Sequence, residues 1–453
     1  MGHHRVRDAD RGARVRRICL TLPTNRACAD TIAAVHEEAA YAAEHFDVEV
    51  RLLILDSSDE PARAEHARAV RELAPVEKVL VHHLDEARQR DFLQRVIARA
   101  APAKPDLMLD LMLPADVSYG ACTNRAFLIA SSLGCDSVHR RDSDSSYQIL
   151  DGEPVFPIHH ELLSLGKRAV DAVPDVTRTR LDPADIHKPV AMVGSSFVGE
   201  LSVDIGEMRD LDPGIYYEVV GLWAEAGTPP DKRRELVEDS FVGAGTDPFT
   251  HDESTLGAPD IWRVDMCNIG LDREVYERVP LPPATSTIGS DYFLLHLVRD
   301  ATLPGVVHNR NIVNYYTPER RTGPGFTAYQ LRFTKFLLSM LYLYPVYTAM
   351  EEARGALLDE RHHVRAATIA ELAASSAGAD RAENVRRLAV IDRCYRQLGG
   401  KYAEFADHLV PLRERLLDEA QADIEDFALL IEAWGPLVAA SRAEAPVRGV
   451  DDA

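Results

Sequence analysis

The sequence predicts an α/β fold, a mostly parallel sheet with helices on both faces, followed by an all-α C-terminal region. Three observations carry this. Over about the first 150 residues, short apolar runs alternate with amphipathic helical stretches, the rhythm of strand–helix–strand units. The apolar runs end on polar turn clusters, Pro23-Thr24-Asn25 and Asp56-Ser57-Ser58-Asp59. From residue 326 onward the periodicity is helical throughout, with no strand signal.

The elements follow in order. Residues 17–22 read as a strand and 29–45 as a helix. Residues 48–55, Val-Glu-Val-Arg-Leu-Leu-Ile-Leu, are the clearest buried strand. A helix over 62–73, a strand over 78–82 and helices over 86–99 and 126–133 complete the first half. The stretch 152–259 is rich in Pro, Gly and Asp, with short strand candidates at 189–193 and 216–220. A strand is expected over 261–269, and helices over 272–278 and 290–298. Four further helices are expected at 329–352, 362–374, 381–398 and 411–434, the last stopped by Gly435-Pro436. The Gly323-Pro324-Gly325 break is a natural boundary. The expected organisation is a flexible tail over 1–14, a catalytic unit over 15–322 (halves 15–150 and 151–322), and a separate helical unit over 326–453.

Composition narrows the function. With 72 acidic residues against 51 Lys and Arg, the net charge is −21. Neither a nucleic-acid backbone nor an anionic membrane rewards such a surface, so neither is expected as a partner. Six scattered cysteines show no Cys-x-x-Cys spacing, which leaves zinc and redox motifs unsupported. No run approaches the ~18 apolar residues of a membrane span, and the basic start of the chain lacks a signal-like apolar stretch. A cytoplasmic enzyme is the expectation.

In open α/β sheets ligands collect beyond the carboxyl ends of the strands. Asn25, Asp56 and the pair Asp142/Asp144 all fall at such ends. Two acids one residue apart can share a divalent cation and, through it, hold a diphosphate. Other motifs are weaker. Gly194-Ser195-Ser196-Phe197-Val198-Gly199 lacks the Lys-Ser/Thr ending of a phosphate loop. The adjacent pairs His82-His83, His159-His160 and His362-His363 are poorly spaced for one metal.

The succession strand, Pro-Thr-Asn-Arg, strand, Asp-Ser-Ser-Asp, Asn124-Arg125 on a helix, then Asp142-Ser143-Asp144 resembles a GT-A (Rossmann-like) glycosyltransferase of the family 2 type. Later segments extend the resemblance over roughly 15–322: Met266 to Tyr276, Ile288-Gly289-Ser290-Asp291 and Val306-Val307-His308. The resemblance implies a nucleotide-sugar donor, UDP-linked by preference, and Mg2+ or Mn2+. It implies that Pro23, Thr24, Asn25 and Asp56 hold the nucleoside, that Asn124 and Arg125 reach the base and diphosphate, and that Asp142 touches the ribose or a metal-bound water. Asp144 is implied as the direct metal ligand, with His308 completing the shell. Asp291 is implied as the general base of an inverting transfer. Two departures stand out. Ser290 replaces the usual acid before Asp291, and the acidic motif is reached through the polar run Ser137-Val138-His139-Arg140-Arg141, which predicts a short or edge strand.

Tyr315-Tyr316, beside Arg320, offers either a sugar-stacking platform with Arg320 over the diphosphate or a packing hinge. The acceptor expected is small or carrier-bound, as in specialised metabolism, and the C-terminal helices offer a surface for a homodimer. Two rivals are a sugar-phosphate nucleotidyltransferase and a non-catalytic nucleotide- or sugar-binding scaffold. The first calls for a Gly-rich basic loop after the first strand, which Pro23-Thr24-Asn25-Arg26-Ala27 is not.

Overall fold

Strands β1 (Arg17–Thr24), β2 (Glu49–Asp56) and β3 (Val79–Asp85) pair in parallel, in the order β3-β2-β1. Their register brings Thr24, Asp56 and Asp85 level at one edge of the sheet. Helices α1 (Ala29–Phe46), α2 (Glu60–Glu72) and α3 (Glu86–Ala100) return the chain between them and beyond β3. Asp59 and Asp85 start α2 and α3, each accepting a backbone N–H of the first turn. The computed structural model describes residues 15–200, 203, 205–314 and 318–445. The expected 1–14 tail and the Tyr315-Tyr316 pair lie outside these residues.

The sheet has nine strands, and five of its eight neighbouring pairs are parallel. The expected mostly parallel sheet, with helices on both faces and a helical C-terminal region, is therefore present. Next to β1 lies β4 (Ser137–Arg141), followed by an antiparallel strand, Asn268–Asp272. The expectation of a short or edge strand before the acidic motif is only half right. β4 has five residues, yet it is central and every one of them is buried.

One face of the sheet, with Leu20, Leu52 and Ile54, packs against Ile32, Val35 and Ala39 of α1. The other face belongs to a larger core. Cys19, Leu53 and Leu55 join α3, α4 (Pro105–Met112), α5 (Tyr119–Ser132) and the long helices Gly323–Ala353 and Arg413–Arg442. The C-terminal helices thus share a core with the sheet. Trp434, fully buried, donates its indole N–H to the Tyr276 carbonyl at 2.8 Å, and Ser441 bonds the Leu128 carbonyl of α5.

Several expected elements differ. Residues 216–220 belong to a helix, Pro213–Val220, because Asp212 caps Gly214 and Ile215 and Pro213 fits the first turn. The 261–269 strand is instead a 3₁₀ turn, Ile261–Arg263, followed by the strand Asn268–Asp272. Gly435-Pro436 does not stop the last helix, which runs on to Arg442. Packing of Trp434, Leu437 and Val438 outweighs the lost backbone hydrogen bond. Helices Pro105–Met112 and Gly400–Leu409 were not foreseen.

Because the sheet and C-terminal helices share apolar contacts, the chain is expected to unfold in urea as one cooperative transition. Trp434→Ala should destabilise it by about 3–5 kcal/mol. Two resolved transitions would contradict the shared core.

Candidate functional site

A cavity of about 690 Å³ opens beyond the ends of β1 and β4. Its polar end is built by strand alternation. Ser137, His139 and Arg141 point to one face of β4, and Val138 and Arg140 to the other. On the first face His139 Nδ1 pairs with Glu161 at 2.6 Å, and Arg141 forks onto Glu38 at 2.8 and 2.9 Å. Gly270 lies opposite His139 on the neighbouring strand. A Cβ there would come within 2.8 Å of the imidazole, so glycine makes room for this buried array.

On the second face Arg140 enters the cavity. Its guanidinium bonds Asp291 at 2.5 Å and Asp142 at 3.1 Å. Burial alone lowers the guanidinium's proton affinity, but Asp142 and Asp291 hold it well above the usual value. Asp144 lies between two more arginines, Arg26 at 3.0 Å and Arg320 at 3.3 Å. Asp265 adds a fourth carboxylate, accepting from the Tyr292 hydroxyl at 2.6 Å. Burial pushes the Asp142 carboxyl up to about 6. Arg140 opposes that rise, and Asp144, Asp291 and Asp265 add to it. Four carboxylates and three arginines thus meet at this end of the cavity.

Pro23, Thr24, Asn25, Arg125, Asp142, Asp144 and Asp291 line this cavity together. The remaining three expected residues do not. Asn124 is fully buried and bonds the Leu281 backbone through both its amide atoms at 2.8 Å. It fixes the 281–283 loop and does not line the cavity. His308 is buried and stacked on His160 at 5.0 Å, with Nδ1 accepting the Arg310 N–H. It does not line the cavity with Asp144. Burial, then the charges of His160, Arg141 and Arg310, hold it well below the usual imidazole range. Arg125 reaches the lining, but its guanidinium is already engaged by Gln89 and the Met112 carbonyl.

Asp56, the third, is fully buried beneath the strand ends. Ser58 donates its backbone N–H and hydroxyl to Oδ1, and His66 and His83 each reach Oδ2 at 2.8 Å. Burial raises the carboxyl's pKa, but these hydrogen bonds prevail and hold it well below the usual range. Among the described residues, Asp56, His66 and His83 are the one trio with metal-capable atoms within 4.8 Å of one another. The tautomer argues against a metal there. His66 Nε2 accepts the Cys28 N–H at 3.0 Å, so Nδ1 carries the proton and donates to Asp56. The array instead ties β2, β3 and α2 to the start of α1, and so braces the 23–26 turn.

Ser290, the substitution noted before Asp291, accepts the Gly120 N–H at 3.3 Å at the start of α5. A Cβ on Gly120 would collide with the Pro282 carbonyl at 1.9 Å, so the approach of α5 to the 281–283 loop requires glycine. Arg26, Arg140 and Asp265 were not singled out from sequence. For Arg26 the signal was its position directly after the 23–25 turn. Arg140 and Asp265 had none, since Arg140's second partner, Asp291, lies 151 residues on and Tyr292, which donates to Asp265, lies 27 residues on.

A family model described as a family of unknown function, DUF6271, matches residues 16–449. The chain belongs to that family. No curated protein matches it. Among solved structures, the mannosyltransferase PcManGT from Pyrobaculum calidifontis, in complex with GDP-Man and Mn2+, is 11% identical with a TM-score of 0.34. That match covers 93% of this chain and 88% of the other. The mannosyltransferase Ktr4p from S. cerevisiae, in complex with GDP, is 8% identical with a TM-score of 0.22, covering 62% and 60%. Core-mannan synthase A from Aspergillus fumigatus, in its Mn/GDP form, is 9% identical with a TM-score of 0.22, covering 73% and 87%. At these TM-scores the likenesses carry no argument about this member of DUF6271.

Replacing Arg140 by Met keeps its volume but leaves Asp142 and Asp291 unpaired. Arg140→Met should cost about 3–5 kcal/mol of unfolding free energy. The cost should shrink in an Asp291→Asn background, measured as a double-mutant cycle in urea. Additive costs would contradict the ion pair.

Proposed function

We propose that this protein is a metal-dependent glycosyltransferase that moves a sugar from a nucleoside diphosphate to a small or carrier-bound acceptor. The observation that carries the reading is the strand-end cavity in which Asp142, Asp144, Asp265 and Asp291 meet Arg26, Arg140 and Arg320. Carboxylates for a cation and arginines for phosphate oxygens are the groups a diphosphate donor needs at one place.

Pro23, Thr24 and Asn25 form the nucleoside side of the site. Asp142 and Asp144 fit a hard divalent cation, Mg2+ or Mn2+, that takes its other ligands from phosphate and water. When bound, such an ion offsets charge on the departing nucleoside diphosphate. Arg26 and Arg320, both on Asp144, are the residues that meet diphosphate oxygens. Asp291 is the general base. Its Oδ2 is held by Arg140, which leaves Oδ1 for the acceptor's proton in an inverting displacement. UDP is the donor nucleotide expected from the sequence resemblance, and the assay below compares it with GDP donors.

Release of nucleoside diphosphate from a panel of UDP- and GDP-sugars, with water as the fallback acceptor, tests the reading. Turnover should require Mg2+ or Mn2+ and fall at least 100-fold in Asp291→Asn, while nucleotide affinity changes little. Metal-independent release, or an Asp291→Asn variant as active as wild type, would contradict it.

A further inference from the structure

The cavity has a second, chemically different end. Phe336, Met340, Leu343 and Tyr347 all line it from the helix Gly323–Ala353. Their spacing of three and four residues puts them on one helix face, a stripe about 16 Å long. Beside Phe336, Trp223, Phe241 and Trp262 also line the cavity. Trp223 stacks on Phe241 at 5.0 Å and meets Trp262 and Phe336 edge-on, both at 5.3 Å. His296 stacks on Tyr347 at 3.8 Å, and burial pushes its imidazole down to about 3, so this end carries no imidazolium at neutral pH.

Protein interiors are close-packed, so an open space walled by aromatic rings and a helix stripe is room kept for a ligand. The four positions of the stripe offer one hydroxyl, that of Tyr347, with Tyr344 and Thr348 beside it and the charged lining residues Arg332 and Glu351 beyond its two ends. A carbohydrate laid along those four positions would meet one hydroxyl, and each of its own hydroxyls left without a partner would cost about 1–3 kcal/mol. An apolar ring system loses nothing there and gains the stacking faces. The two ends meet at the Asp291 turn, where a Cβ on Gly289 would touch the Phe336 ring at 3.1 Å.

We infer that the aromatic lobe holds the acceptor, and that the acceptor is an apolar, aromatic or polycyclic molecule presenting a hydroxyl toward Asp291. This rests on the glycosyltransferase reading for the word acceptor, but the apolar ligand site stands on the lobe itself.

Umbelliferone, a flat hydroxylated bicyclic probe, and maltose, a polar control, separate the outcomes by calorimetric titration. Umbelliferone should bind, maltose should not, and Leu343→Asp should weaken umbelliferone at least tenfold while leaving nucleoside diphosphate affinity unchanged. Trp262 is 41% exposed at the rim, so Trp262→Ser tests the same lobe if Leu343→Asp does not fold. It should weaken the probe about threefold. Maltose binding in place of umbelliferone, or umbelliferone binding insensitive to both substitutions, would overturn the inference. Umbelliferone binding without any nucleotide binding would leave the lobe standing and remove the transferase reading.

Discussion

A buried guanidinium holds this site together. Arg140 comes from the middle of the sheet and bonds Asp142 at the end of its own strand and Asp291 from a turn 151 residues later. Removing charge from water is costly, and the cost is recovered only where partners are close and geometrically matched. That condition forces the Asp291 turn against β4. Ser290 on Gly120 and Asn124 on Leu281 then hold the same region to α5. The cavity is the space this arrangement leaves open.

The opposite face of β4 repeats the device with different partners. Arg141 and His139 share Glu38 and Glu161, all fully buried, beneath the apolar layer of α1. A strand this polar survives at the centre of a sheet because each charge on it is met. Asp56 follows the same rule two strands over, with four hydrogen bonds on one carboxylate. Its work is structural, since it braces the turn carrying Pro23, Thr24 and Asn25 without touching the cavity.

What could be read in the sequence follows from range. β1 to β3 and α1 to α3 were legible within a few residues, because local periodicity and Asp caps fix them. So was the placement of Asn25, Asp142 and Asp144 at strand ends around one cavity, which the topology dictates, whereas Asp56, expected with them, is buried beneath it. Residues 216–220 misled because Tyr and Val suit strands, while the Asp212 cap and Pro213 decided for a helix. The centrality of β4 was hidden because its partners, Glu38, Glu161 and Asp291, lie 20 to 151 residues away. His308 and Asn124 were drawn toward the site by motif alone, and burial with backbone partners takes them out of it.

The central claim is that Asp142 and Asp144 hold a divalent cation together with a nucleoside diphosphate. Calorimetric titration of UDP and GDP, with and without Mn2+, on wild type and Asp144→Ala tests it most directly. The account predicts that one nucleotide binds only with the metal and that Asp144→Ala abolishes the metal dependence. Equal binding with and without Mn2+, or an Asp144→Ala variant identical to wild type, would contradict it.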